Sequence, residues 1–95
     1  MAEETINELF ERYKETGSRE LRNKIAEKYL YIADILAKKF VGRGVEYDDL
    51  KQVASLALLK GIDRFDPSLG MQFTDRGRST VHALMLHELI RGGIQ

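Results

Sequence analysis

Apolar residues recur every three or four positions along most of this chain, and the interruptions fall at glycines and at the single proline. Ile6, Leu9, Phe10 and Tyr13 stand at i, i+3, i+4 and i+7, which predicts a first helix over residues 2–16. Gly17 stops it, and Ser18 is placed to cap the next. From Arg19 to Val41, Leu21, Ile25, Tyr29, Ile32, Leu36 and Phe40 keep the helical period, so one rod of about 22 residues and about 33 Å is expected. Ala33 and Ala37 leave room on it for a neighbour, and Gly42 and Gly44 stop it. Val45–Tyr47 reads as a short connection. Asp48 or Asp49 is placed to cap a third helix, Leu50–Phe65, which ends at Asp66-Pro67 because a residue before proline avoids helical angles. Ser68–Gly70 then reads as a turn. A fourth helix follows over 75–91 or 80–91, capped by Thr74 or Ser79 and closed by Gly92-Gly93. Gly77 makes the earlier start costly, by roughly 1 kcal/mol relative to alanine.

The third helix has two apolar faces. Stepping 100° per residue from Leu50 gathers Val53, Ala54, Ala57, Leu58, Gly61, Ile62 and Phe65 into a core stripe, in which Gly61 allows another helix to come close. The opposite side carries Asp49, Gln52, Leu56, Leu59 and Asp63, with Ser55 at its edge. Two leucines among acids and an amide form either a partner surface with an apolar centre and polar rim, or a face that packs under the first helix.

Four helices with short connections predict an all-α fold, a compact bundle, in a single domain over residues 1–95. Lys+Arg and Asp+Glu balance at 15 each, so nucleic-acid contact has to come from a local patch rather than from net charge. Lys38, Lys39 and Arg43 supply such a basic cluster, and Glu46, Asp48 and Asp49 an acidic one beside it; helix-end chemistry accounts for both without a ligand. The absence of cysteine removes disulfides and thiolate metal sites and fits a reducing, cytoplasmic setting. No apolar run is long enough to span a membrane. His82 and His87 are five apart and point about 140° from each other, a poor arrangement for one metal. No phosphate loop, Ser/His/Asp set or glycine fingerprint is present, so the sequence supports no enzyme, cofactor or metal. Tyr29 and Tyr31 read as packing residues, one of them half exposed.

Several features occur in fixed order: AKKF at 37–40, GRG at 42–44, the acidic start followed by Leu50-x-Gln52, KGIDRFD at 60–66, and G-x-x-F at 70–73. Together they resemble region two of bacterial RNA polymerase sigma factors of the sporulation, stress-response and flagellar type, over about residues 5–74. The resemblance implies a helical domain that docks on the clamp helices, a coiled coil of the polymerase's largest subunit. Asp49, Gln52, Val53, Ser55 and Leu59 match docking positions, and Leu56 stands among them. It also implies contact with the promoter −10 element, where aromatic residues stack on unpaired bases and basic residues hold the backbone. Lys38, Lys39, Arg43, Phe73, Arg76, Arg78 and His87 are the candidates for that role. Anti-sigma proteins are implied as partners.

After Thr74 the chain departs from the pattern. Arg76 stands where a tyrosine is expected, Ala83 and Leu86 stand where many relatives carry polar residues, and His87 matches a basic position. DNA melting is therefore expected to be weakened or lost. Val81, Leu84, Met85, Leu86, Leu89 and Ile90 cover more than half of the last helix's circumference, wider than a surface helix needs. Residues 75–95 are thus the divergent part. Their pattern supports a competing reading: a diverged or engineered helical scaffold that forms a homo-oligomer and has no transcriptional activity.

Overall fold

The computed structural model describes residues 5–69 and 72–91, without the side chains of Asp75 and Arg76. Residues 2–4 of the expected first helix, the turn glycine Gly70 and the Gly92-Gly93 stop lie outside the described residues. The fold is all-α, as the periodicity predicts, with five α-helices and one short 3-10 turn among the described residues. Helix α1 spans Ile6–Thr16, α2 Arg19–Lys28, α3 Leu30–Lys39, α4 Tyr47–Arg64 and α5 Phe73–Arg91, with the 3-10 turn at Pro67–Leu69.

Helix α1 starts at Ile6, later than the expected residue 2, because Thr5 is extended and its Oγ1 accepts from the Glu8 N–H as a cap. The boundary between α1 and α2 follows the sequence signals. Gly17 ends α1 in the left-handed conformation, at φ 66°, and its N–H donates to the Tyr13 carbonyl. Ser18 caps α2 by accepting from the Leu21 N–H at 3.3 Å.

Three further boundaries differ from expectation. The rod over 19–41 is two helices, broken at Tyr29, whose φ and ψ are −116° and 11°. No glycine or proline marks the break. Tyr29 is buried and its ring lies 4.7 Å from that of Phe73, so packing against α5 sets the local geometry. Second, α4 begins at Tyr47, not Leu50, and Asp48 and Asp49 sit inside its first turn rather than capping it. There their charges suit the helix dipole. Glu46 is the cap residue and makes no side-chain cap bond; instead the Tyr47 hydroxyl donates to Asp34 on α3, tying the start of α4 to its neighbour. Third, α5 starts at Phe73, ahead of either expected start, and neither Thr74 nor Ser79 caps it.

The core lies around α4, which packs against α2, α3 and α5, while α1 packs on α2 and the 3-10 turn. Leu50, Ala54, Ala57, Leu58, Gly61 and Ile62 are the buried side of α4, close to the expected stripe. Phe10 on α1 reaches the same core, 4.8 Å from the Phe65 ring and 5.6 Å from that of Phe73. Lys14 fastens α1 to the end of α4 by donating to the Ile62 and Asp63 carbonyls in its last turn, where a cation suits the helix dipole. The Tyr13 hydroxyl donates to the Asp63 carboxylate beside them. Among the described residues, no helix is long and apolar enough to cross a membrane.

Candidate functional site

Two surfaces carry the residues singled out from the sequence. The first is the outer side of α4. Asp49, Gln52 and Leu56 are exposed, Leu56 to 55 %, and Ser55 and Leu59 are half-buried. Gln52, Ser55, Leu56 and Leu59 line one shallow, open groove, with Asp48 and Lys51 at its edge. Leu56 does not pack under α1, and neither leucine joins the hydrophobic core. Val53 is different: it is half-buried and packs against the core, at the margin of this face. The apolar centre is small and the rim carries both signs of charge, the anatomy of a protein contact rather than of a small-molecule site.

The second surface joins the end of α3 to the middle of α5. Lys38 and Lys39 are exposed, and Lys38 pairs with Asp34 at 3.1 Å. The Arg43 guanidinium lies over the Phe40 ring, 5.3 Å from its centroid, and the His82 ring lies 6.1 Å from the same ring. A cation, an aromatic ring and an imidazole thus connect the loop after α3 to α5. The sequence pattern does not single out His82 for this contact, because no helical spacing joins positions 40 and 82. Arg78 is exposed on α5; the side chain of Arg76 lies outside the described residues.

Two of the expected DNA-contacting residues sit apart from that surface. His87 lies on the other flank of α5, in a groove with Lys60, Arg64, Glu88 and Arg91. There Lys60 donates to the Glu88 carboxylate, and this hydrogen bond holds the Glu88 carboxyl below its ordinary value. Phe73 is 2 % exposed and its ring is enclosed by Phe10, Tyr29 and Phe65, so no face of it is open to a base.

Between α4, the 3-10 turn and α5 there is also a half-open pocket of about 180 Å³. Phe65, Arg64, Asp66 and Thr80 line it, together with the backbone at Gly61 and Gly77. The Ser68 hydroxyl and N–H both donate to Asp66, at 2.6 and 2.9 Å, and hold its carboxyl below the ordinary range. This pocket brings together positions up to nineteen residues apart, from Gly61 to Thr80, which no local pattern joins.

Residues 26–89 match the family described as Sigma-70 region 2. Among curated proteins, the chain is 40% identical over 72 residues to the RNA polymerase sigma factor SigA of Clostridium acetobutylicum, covering 76% of this chain and 18% of that protein. It is 40% identical over 60 residues to the RNA polymerase sigma factor SigF of Mycobacterium tuberculosis, 63% of this chain and 23% of that one. It is 32% identical over 69 residues to the RNA polymerase sigma-F factor of Priestia megaterium, 73% of this chain and 27% of that one. The chain therefore spans about a fifth to a quarter of the length of these relatives.

Proposed function

The chain belongs to the sigma-70 region 2 family, and we propose that it serves as a polymerase-docking and promoter-contacting module, seating the outer face of α4 on the clamp helices of core RNA polymerase. One observation carries this reading: Leu56 stands 55 % exposed on a helix whose other side is fully buried, with Asp49, Gln52, Ser55 and Leu59 around it. Burial of one such leucine is worth about 1.5–3 kcal/mol, enough to anchor a contact of modest size. The test is retention of the chain on an immobilised clamp-helix coiled coil. The unaltered chain is expected to bind, and Gln52→Ala, Leu56→Ala and Leu59→Ala to bind less. A chain that is not retained at all defeats the reading.

For promoter DNA, we assign backbone contact to Lys38, Lys39, Arg43, Arg76 and Arg78, with melting weakened or lost. The support is the burial of Phe73 together with the absence of any other aromatic residue in α5. Binding to a single-stranded −10 oligonucleotide is then weak and falls steeply with salt. Arg76→Tyr adds a stacking surface and raises affinity by about 1–3 kcal/mol if it reaches a base. Strong, base-specific binding by the unaltered chain would remove the weakened-melting part of the reading.

A second reading keeps the fold and replaces the role. Leu86 and Ile90 stand one turn apart on the outside of α5, 36 % and 82 % exposed, and favour self-association through that helix. Sedimentation that finds a monomer at high micromolar concentration removes it.

A further inference from the structure

The side of the molecule formed by α2 and α3 carries a pattern that the two readings above leave aside, apart from Lys39. Lys24, Lys28, Tyr31, Ile35 and Lys39 follow one another at spacings of four, three, four and four residues, the repeat of a single helical face. The stripe crosses the break at Tyr29. There the chain passes from α2 to α3 through two three-residue hydrogen bonds, Tyr29 N–H to the Ala26 carbonyl and Ile32 N–H to that of Tyr29, and not through a loop. All five side chains are exposed.

The centre of the stripe is apolar. Tyr31 is 50 % and Ile35 37 % exposed, one turn apart. Tyr31 is braced from below: its ring lies 6.4 Å from that of Tyr29, which is buried. The ends are basic. Among the described residues, Lys24, Lys28 and Lys39 make no ion pair or side-chain hydrogen bond. Lys38, one position away, differs, because Asp34 neutralises it at 3.1 Å. Of the acids nearby, Glu27 flanks the stripe, Asp34 is occupied by Lys38 and the Tyr47 hydroxyl, and Glu20 lies one turn beyond the end.

We propose that this stripe is a docking face for an acidic amphipathic helix of a partner protein. Tyr31 and Ile35 receive the apolar residues of that helix, and the three lysines face its carboxylates. Sixteen residues of helix span about 24 Å, so the matching partner is about four turns long. A nucleic-acid backbone would satisfy the lysines but leave Ile35 at the centre against phosphate and water. An acidic helix with leucines three and four apart satisfies both the charge and the apolar centre.

The test uses the full chain and a synthetic helical peptide of about 16 residues, with leucines at helical spacing flanked by glutamates. Two comparison probes accompany it: the same peptide with glutamines for glutamates, and a single-stranded oligonucleotide. The acidic peptide is expected to perturb backbone amide resonances along residues 24–39 and to bind more tightly than the glutamine peptide. Lys24→Gln and Lys28→Gln each weaken it about threefold, and Tyr31→Ala with Ile35→Ala weakens it about tenfold or more. Should the tyrosine change lower stability through Tyr29, the two lysine variants decide. The proposal is overturned if the peptide perturbs other surfaces, if the lysine variants bind it unchanged, or if the oligonucleotide occupies the stripe and the peptide fails to displace it.

Discussion

At Gly61 and Gly77 an added methyl group would collide with packed neighbours. A Cβ at Gly61 would stand 2.8 Å from a Val81 methyl, and at Gly77 2.7 Å from the Phe73 ring. Both glycines are buried, so the neighbours have little space to yield. The role of Gly61 was legible from its place in the core stripe of α4. For Gly77 only the helical cost was legible; its compensation, room for the Phe73 ring, comes from the fold. Gly61→Ala should lower stability in urea unfolding, because overpacking of about 1–3 kcal/mol outweighs a helical gain of about 1 kcal/mol. In a Val81→Ala background the collision is gone, and the same change should be neutral or stabilising. Phe10→Ala should cost about 3–5 kcal/mol, since its ring is shared by the Phe65 and Phe73 contacts.

At the scale of elements, helical periodicity located the helical stretches but merged α2 and α3 into one and did not fix every end. The period over 19–41 continues through Tyr29, so the break there is invisible in the pattern; it depends on where α5 places Phe73. The start of α4 is tied to Asp34, thirteen residues upstream of Tyr47, a partner that no local pattern indicates. Long-range tethers of this kind also hold α5, which is fixed to α4 by Lys60 and Glu88 as well as by its buried residues. The Glu88 carboxyl is depressed when folded, so the pair stabilises the bundle above the ordinary glutamate value of 4.5 and is lost as pH falls through the lower folded value. The melting-temperature advantage of the unaltered chain over Glu88→Gln should therefore be present at pH ~6 and vanish by pH ~3. Asp66, held down by Ser68, loses its own contribution over a similar acid range, so the variant keeps part of the acid sensitivity.

For the whole molecule, α4 is the helix on which core and surface meet, and the two sides can be separated by experiment. Leu58 is fully buried and Leu56 is 55 % exposed, two positions away. Leu58→Asp places a carboxylate in the core and should unfold a domain whose total stability is on the order of 5–15 kcal/mol. Leu56→Asp should leave the melting temperature within a few degrees, about 0.5 kcal/mol in stability, while reducing retention on clamp helices. If both unfold the chain, the outer face of α4 is structural and the docking reading fails.

Much of this was determined by the sequence alone. The all-α class, the glycine stop after α1, the Ser18 cap and the buried stripe of α4 follow from spacing, because each depends on neighbours within about one or two helical turns; that Leu56 faces outward rather than packing under α1 does not. Tertiary structure decided the rest. It placed Phe73 in an aromatic cluster, brought His82 to Phe40 and Arg43, and set His87 on the opposite flank of α5. It also settled how the last helix, apolar around most of its circumference, divides its residues: Val81 and Met85 are enclosed, and Leu86 and Ile90 are left outward. A helix with apolar residues on several sides has no single direction that its own sequence prefers. Which side is covered is chosen by the elements that pack against it, and for α5 the close approach at Gly61 makes that choice.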